Sequence, residues 1–213
     1  MQNIPMEDCL DKPLKEVLDV IQHSVMNGTT YFGVKTLKNP LDAWIYQEIV
    51  FETRPDVIVE IGNYCGGNLL AMAHLCDAMG RGRVIGVDLW HHWVPPLVRD
   101  HPRITLIDGD ACESFGQVRQ LVGADERVML IDDSSHTFDN TLGVLRRYGT
   151  LVQPGGYFIV EDSVCHHGLD IGPNPGPYEA IEAFLQENQD FESDRSRERF
   201  LITWNPKGFL KRR

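Results

Sequence analysis

The chain has 213 residues, 42% of them hydrophobic, and a formal net charge of −11 at neutral pH. This length and composition suffice for one buried core, whereas so acidic a chain is a poor ligand for the phosphate backbone of a nucleic acid. Its longest apolar runs fall short of the roughly 18 residues that a membrane span needs. The sequence therefore predicts a protein with neither a nucleic-acid nor a membrane partner.

The first 54 residues are predicted to form a helical cap. Apolar residues recur at helical spacing over residues 14–23 and 41–53, and the second helix is predicted to begin at Asn39-Pro40, because asparagine caps helices and proline is favoured in their first turn. These helices are expected to lie over the ligand-binding side of the fold or at a subunit interface of a homo-oligomer. The acidic segment that begins at Met1 lacks the pattern of a secretory signal, which predicts a cytoplasmic protein.

Residues 55–213 are predicted to form a Rossmann-like core. Short runs rich in Val and Ile are typical of strands buried on both faces of a parallel sheet, and they cover residues 56–61, 83–88, 104–108, 128–131 and 157–161. Helical spacing covers residues 69–79, 112–122, 138–151 and 178–189. Residues 191–194 and 200–203 are predicted to close the sheet as an antiparallel hairpin. The alternation predicts one doubly wound α/β domain over residues 1–213 with a mostly parallel, seven-stranded sheet. With its closing hairpin, this arrangement resembles the sheet of class I methyltransferases.

A glycine-rich turn follows the first core strand at residues 62–67. In an open parallel sheet such a turn lies at the edge where ligands bind, and Gly62 and Gly66 would let the backbone approach a ligand closely. Asn68 is expected to begin the next helix. Glu60 ends an apolar strand, where an acid is costly unless it meets a cation or donors. The methionine ammonium of S-adenosylmethionine would supply both.

Acids also follow the next two strands. Asp88 is placed to accept both ribose hydroxyls of a nucleoside, and Asp110 to accept the adenine amino group. Alone, each acid is more commonly a turn or cap residue. Tyr64 breaks the dinucleotide fingerprint G-x-G-x-x-G, which argues against a dehydrogenase. Together, acids at successive strand ends favour a nucleoside site.

The fourth and fifth core strands end in pairs of acids. The carboxylates of Asp133, Glu161 and Asp162 are predicted to converge at the same sheet edge, beside the methyl group to be transferred. A divalent cation is the simplest neutraliser of such a group, and oxygen-only ligands favour Mg²⁺. The alternative is that Asp132 and Asp133 cap the next helix and that Glu161 and Asp162 begin a loop.

Motifs along nearly the whole chain point to one family. They are Tyr31-Phe32-Gly33-Val34, Asn39-Pro40-Leu41-Asp42, Tyr46-Gln47-Glu48, Arg54-Pro55-Asp56, Glu60-Ile61-Gly62, Asp133-Ser134-Ser135-His136, Gly155-Gly156-Tyr157, Glu161-Asp162, Gly176-Pro177-Tyr178-Glu179-Ala180 and Asn205-Pro206-Lys207-Gly208-Phe209-Leu210. This set resembles the cephalosporin hydroxylase family, whose members, despite the name, look like metal-dependent O-methyltransferases of the cephamycin and rhamnosyl type. The resemblance implies transfer of a methyl group from S-adenosylmethionine, with Mg²⁺, to a hydroxyl of a sugar or natural-product scaffold.

The same resemblance implies roles for single residues. Asp133, Glu161 and Asp162 would be the metal ligands, while Glu60, Gly62 and Asp88 would hold the cofactor, to which Asp133 also lies close. Asp132 competes as first ligand because it ends the apolar run directly. Asp133 is preferred because it stands three residues before His136, as the family acid stands before its histidine. The segment Asn63-Tyr64-Cys65 departs from the family and is expected to tilt the methionine end of the pocket.

Histidines and aromatics leave several interpretations open. His136 is expected either to orient the site or to take the acceptor proton, whereas the pairs His91-His92 and His166-His167 are expected in surface loops. Trp90 and Trp93 either cover adenine or pack in the core. A rival function is an Fe(II) oxygenase, which needs two histidines and a carboxylate and would draw on His136, His166 or His167. A second is a scaffold that binds cofactor without turnover.

Overall fold

A computed structural model describes residues 4–213. Residues 1–3, part of the segment from which the absence of a secretory signal is predicted, lie outside the described residues. The strands are β1 (Thr30–Tyr31), β2 (Val34–Lys35), β3 (Val57–Ile61), β4 (Arg83–Asp88), β5 (Ile104–Asp108), β6 (Val128–Asp132), β7 (Tyr157–Val160), β8 (Phe191–Ser193) and β9 (Phe209–Arg212). The α-helices are α1 (Leu14–Gly28), α2 (Pro40–Thr53), α3 (Gly67–Met79), α4 (Pro96–Arg99), α5 (Ala111–Leu121), α6 (Phe138–Tyr148) and α7 (Pro177–Glu187).

The central sheet has seven strands in the order β5-β4-β3-β6-β7-β9-β8. Strands β3 to β7 are parallel, while β9 pairs antiparallel with both β7 and β8. The strand order reverses between β3 and β6, which is where open α/β sheets bind ligands. The predicted doubly wound, mostly parallel sheet is confirmed.

The prediction for the closing hairpin is wrong in its second strand. Strand β8 pairs with β9 and not with residues 200–203. Phe200 is 40% exposed and Leu201 75% exposed, whereas Phe209 and Leu210 are fully buried. Residues 209–212 therefore take the place between β7 and β8, because they bury apolar side chains on both faces of the sheet. The two-residue strands β1 and β2, which pair around Phe32-Gly33, were not predicted.

Successive side chains of each strand point to opposite faces of the sheet, so the hydrophobic core has two layers. Val57 and Val59 pack with α5, α6 and α7 on one face of the sheet. Ile58 packs with α2 and α3 on the other face, and Glu60 lies on that second face because it follows Ile58 by two residues. No helix within residues 4–213 combines the length and hydropathy needed to cross a membrane.

The starts of two helices agree with the local sequence. The side chain of Asn39 caps α2 by accepting the N–H of Leu41, and Asp110 caps α5 by accepting the N–H groups of Cys112 and Glu113. Helix α3 begins at Gly67, after Gly66 in the left-handed region. Asn68 therefore lies inside the helix and does not begin it, which frees its side chain for another partner.

Candidate active site

The glycine-rich turn joins β3 to α3 and is tied to two neighbouring strand ends. Asp88 Oδ2 accepts the backbone N–H groups of Asn63 at 2.7 Å and Tyr64 at 3.0 Å. Gly62 has φ +83°, and a Cβ there would lie 2.1 Å from the carbonyl oxygen of Asp133. Any side chain at position 62 would thus push the end of β6 away from the turn.

Gly66 packs closely against α4. It has φ +82°, and a Cβ there would lie 2.9 Å from Cγ1 of Val98 on α4. Gly66 is also not among the residues that line the cavity beside the turn. The need for glycine at this position is explained by the protein's own packing.

A cavity of about 420 Å³ opens beside the turn. Predicted site residues form part of its wall, namely Gly62, Asp88, Asp110 and Asp133. Tyr64, Trp90 and Trp93 also line it, and Trp90 and Trp93 are 46% and 58% exposed. The interpretation of these two tryptophans as core residues is therefore wrong. The cavity has the size and the aromatic wall of a nucleoside pocket.

His91 is buried behind the glycine turn, contrary to the predicted surface position. It is 3% exposed. Its Nδ1 lies 2.5 Å from Asp108 Oδ1, and its Nε2 lies 2.8 Å from Asn63 Oδ1. The Asn63 amide in turn donates to the backbone oxygen of Glu60. A hydrogen-bonded chain thus fixes the glycine turn against the ends of β4 and β5, and no motif in the sequence signals it.

Three carboxylates meet on the α2/α3 face of the sheet. Glu60, Asp133 and Glu161 lie at the ends of β3, β6 and β7, and they offer oxygens within 4.8 Å of one another. A lysine lies among them. Lys38 Nζ is 2.5 Å from Asp133 Oδ2, 2.6 Å from Glu161 Oε1 and 3.3 Å from Glu60 Oε1. Sequence reasoning missed this lysine, because it precedes α2 and lies far from the strand ends in the chain.

Strand alternation puts Asp132 and Asp133 on opposite faces of the sheet. Asp132 pairs with Val160 in β7, so it faces the α5 and α6 layer, as Val160 does. There its Oδ1 accepts the backbone N–H and the hydroxyl of Ser134, and burial raises the pKa of Asp132 to about 6. Asp133 comes one residue later and turns to the face where Glu60 and Glu161 lie.

A second group of ligand atoms shares Asp133 with the first. His136 Nε2 lies 3.8 Å from Asp133 Oδ1 and 3.4 Å from Asp162 Oδ2, and the three residues offer atoms within 4.8 Å of one another. His136 and Asp162 have φ of 57° and 54°, and the N–H of Asp162 donates to Asn205 Oδ1 at 3.2 Å. The predicted ligands thus divide between two adjacent groups, and Asp133 joins them.

The charges of this region suit a bound cation. Four carboxylates, those of Glu60, Asp133, Glu161 and Asp162, face a single lysine. Burial alone would lower the pKa of Lys38, but its carboxylate neighbours outweigh burial and hold that pKa well above its usual range. Burial likewise raises the pKa of Glu161, against the opposing charge of Lys38. When these carboxylates are ionised, one ammonium does not balance their charge, and an oxygen-ligated divalent cation would do so.

Among residues 4–213, two buried side-chain oxygens lack a hydrogen-bond partner, Glu60 Oε2 in this region and Asp132 Oδ2 on the opposite face of the sheet. Asn68 Nδ2 donates to Glu60 Oε1 at 2.9 Å, while Glu60 Oε2 accepts no hydrogen bond. A buried carboxylate oxygen left in this state is costly. Glu60 therefore has capacity for one more donor.

The other candidate histidines do not join the acidic group. His166 Nε2 contacts the backbone oxygen of Gly172 at 3.1 Å. His167 Nε2 lies 2.6 Å from Glu179 Oε1, and its ring stacks on Tyr178. In the part of the chain that the structure describes, no potential metal group contains two histidines and a carboxylate. This argues against the ligand set of the oxygenase hypothesis.

A family model described as "Rhamnosyl O-methyltransferase/CmcI" matches residues 23–213. The chain belongs to this family. A rhamnosyl O-methyltransferase of Mycobacterium tuberculosis is 33% identical over 195 residues, which cover 88% of the chain and 80% of the relative. One from Mycobacterium leprae is 35% identical over 197 residues, covering 89% and 85%.

Solved structures agree with the rhamnosyl O-methyltransferase/CmcI assignment. A structure of CmcI with Mg and SAM has 25% identity and a TM-score of 0.72, and the match covers all of the chain and 86% of CmcI. The MycE methyltransferase with Mg and SAH has 22% identity and a TM-score of 0.51, over 70% of the chain and 41% of MycE, and supports the fold alone. The predicted family and the class I methyltransferase fold are confirmed.

Proposed function

We propose that the chain is an S-adenosylmethionine-dependent and Mg²⁺-dependent O-methyltransferase that acts on a hydroxyl of a sugar or natural product. The observation that carries the proposal is the position of Asp133. It lines the nucleoside-sized cavity and also belongs to both acidic groups. A methyl donor in the cavity and an acceptor oxygen at the acidic groups would therefore meet at this carboxylate. The family and the CmcI structure with Mg and SAM support this choice.

The cavity wall offers partners for the nucleoside part of the cofactor, and Glu60 comes just before the wall residues Ile61 and Gly62 at the end of β3. Asp88 would accept the ribose hydroxyls, and Asp110 and the exposed ring of Trp90 or Trp93 would contact adenine. Glu60 Oε2, which has no partner among residues 4–213, would accept the methionine ammonium. Gly62 contributes by keeping the turn against Asp133. Asn68 donates a hydrogen bond to Glu60, and Gly66 packs against Val98 of α4. Both contacts hold the turn in place beside the cavity.

The acidic groups would hold the metal and the acceptor. Asp133, Glu161 and Asp162 would bind Mg²⁺. When bound, the cofactor supplies an activated sulfonium methyl, and the ion supplies a Lewis acid that lowers the pKa of the acceptor hydroxyl. His136 is placed to take the acceptor proton on Nε2, since its side chain is 26% exposed and stands beside Asp133 and Asp162. The remaining work of the chain is to position the two reactants in line.

An activity assay tests the proposal. Purified protein is incubated with S-adenosylmethionine and a panel of rhamnosides, other sugars with vicinal hydroxyls, and phenols, with Mg²⁺ or with EDTA. We expect a methylated product, detected by mass spectrometry, that appears with Mg²⁺, disappears with EDTA and returns when Mg²⁺ is added back. Binding of S-adenosylhomocysteine without any methyl transfer would favour the scaffold hypothesis. Turnover that requires Fe²⁺ and consumes oxygen would favour the oxygenase.

We also propose that the protein forms a homo-oligomer and is located in the cytoplasm. A homo-oligomer is supported by Trp44 and Phe51, which are 59% and 61% exposed on α2, one of the helices expected at a subunit interface. Light scattering coupled to size exclusion would measure the mass of the assembly. A cytoplasmic location stays a prediction that fractionation of the producing cell would test.

A further inference from the structure

Lys38 is a cation that the proposed reaction does not use. We infer that its ammonium group holds the cation position among Glu60, Asp133 and Glu161 in the metal-free protein, and that a divalent ion binds in competition with it. The inference rests on the proposed metal site. It assigns Lys38 the role of a positioning residue that lowers the affinity of the site for metal and keeps the site assembled when metal is absent.

The geometry of Lys38 is that of a bound ion. Its Nζ contacts carboxylates from three different strand ends, at 2.5, 2.6 and 3.3 Å, and its side chain is 5% exposed. Two of these three carboxylates, those of Asp133 and Glu161, are proposed metal ligands. An Mg²⁺ ion needs oxygens at about 2.0–2.1 Å in an octahedral arrangement. An ion that binds the oxygens now facing the ammonium, Asp133 Oδ2 and Glu161 Oε1, would take the place of the ammonium.

Charge repulsion also makes the ammonium and a divalent ion compete, whichever oxygen of Asp133 the ion binds. Asp133 Oδ2 faces Lys38, whereas its Oδ1 faces His136. An ion that replaces the ammonium must displace it, and an ion bound on the Oδ1 side lies next to it in a buried, weakly screened region. Like charges at such distances repel strongly in a protein interior. Removal of the ammonium therefore strengthens metal binding in both cases.

The surroundings of Lys38 allow its side chain to move while its backbone stays fixed. The next residue, Asn39, caps α2 and also donates to Asp42. A cavity of about 510 Å³ adjoins Lys38 on the side away from the cofactor pocket, and Thr36, Trp44 and Asn68 belong to its wall. The long, flexible side chain of a lysine can swing into this space when an ion takes its place.

Metal binding to purified protein tests the inference without any turnover. Lys38→Met removes the charge, Lys38→Gln removes the charge but keeps a donor, and Lys35→Met is the control, because Lys35 is an exposed lysine of β2. Titration calorimetry with Mn²⁺ is expected to give at least tenfold tighter binding for both Lys38 variants and wild-type affinity for the control. In EDTA the Lys38 variants should unfold at lower temperature than wild type, and Mn²⁺ should raise their melting temperatures by more.

The outcomes separate this inference from the proposed function. Unchanged or weaker metal binding in both Lys38 variants would overturn the inference and leave the metal site intact. No metal binding by wild type would overturn the metal site as well. If neither variant folds, acetylation of wild-type lysines followed by mass spectrometry decides. Saturating Mg²⁺ should raise the labelling of Lys38 and leave that of Lys35 unchanged, and continued protection of Lys38 would refute displacement.

Discussion

Replacing Asp88 tests the nucleoside pocket, because this carboxylate is expected to bind the cofactor while it holds the glycine turn. Its Oδ2 already accepts two N–H groups of the turn, which leaves Oδ1 for the ribose hydroxyls. A hydrogen bond to a charged group contributes about 1.5–3 kcal/mol. Asp88→Ala should therefore weaken the binding of S-adenosylhomocysteine about 10- to 150-fold, at 1.4 kcal/mol per factor of ten.

The size of this effect separates the two roles of Asp88. Asp88→Asn keeps an oxygen for the turn but replaces a hydrogen bond to a charged group, about 1.5–3 kcal/mol, by a neutral one, about 0.5–1.5 kcal/mol, so the expected loss of binding free energy is the difference, about 1–1.5 kcal/mol. Asp125→Ala is the control, since Asp125 is exposed and does not line the cavity. Calorimetry gives the affinities, and thermal unfolding without ligand gives the cost to the turn. Binding by Asp88→Ala within about twofold of wild type would refute the ribose assignment, because the expected loss is about tenfold or more.

Three further predictions concern the metal, the base and pH. Asp133→Ala should abolish methyl transfer while S-adenosylhomocysteine still binds, whereas Asp132→Ala, which alters the opposite face of the sheet, should keep measurable turnover; equal losses would contradict the assignment of Asp133. His136→Gln should lower kcat by about 10²–10⁴ if the imidazole takes the acceptor proton, and a kcat near that of wild type would exclude it as the base. Burial raises the pKa of Asp42 from 3.8 to about 6. The folded state thus binds the Asp42 proton more tightly than the unfolded state, so its contribution to stability falls as pH rises from about 4 to about 6. Asp42→Asn lacks this titrating group and should not lose that contribution. The free energy of unfolding of the variant minus that of wild type should therefore rise by up to about 3 kcal/mol between pH values of about 4 and 6, at 1.36 kcal/mol per pKa unit. Urea unfolding at several pH values measures this difference, and a constant difference would refute it.

The fold was predictable because its signals are local. Strands β3 to β7 are apolar runs with clear boundaries, and acids or glycines mark the edge where they end. The error at residues 200–203 arose because Phe200-Leu201-Ile202 resembles a strand as well as Phe209-Leu210 does. Pairing depends on which run can be buried between β7 and β8, and sequence spacing does not contain that information.

Candidate site residues could be predicted where they lie at the ends of parallel strands, and residues from other segments were harder to predict. Asp88, Asp133 and Glu161 could be selected because parallel strands bring their ends to one edge. The choice of Asp133 over Asp132 is explained by the alternation of faces along β6. Lys38 and His91 come from segments outside these strand ends, and only the packing of α2 and of the loop after β4 brings them to the site.

Strand β9 comes latest in the chain of all the sheet strands, yet it lies between β7 and β8. The segment before it anchors the end of β7: Val160 N donates to the Gly208 oxygen at 2.8 Å, and Asp162 donates to Asn205, 43 residues away. Closing the loop between residues 162 and 205 costs entropy that these contacts must offset. A chain truncated before residue 205 is therefore expected to leave Glu161 and Asp162 without this anchor, so the last residues of the sheet belong to the framework of the acidic groups.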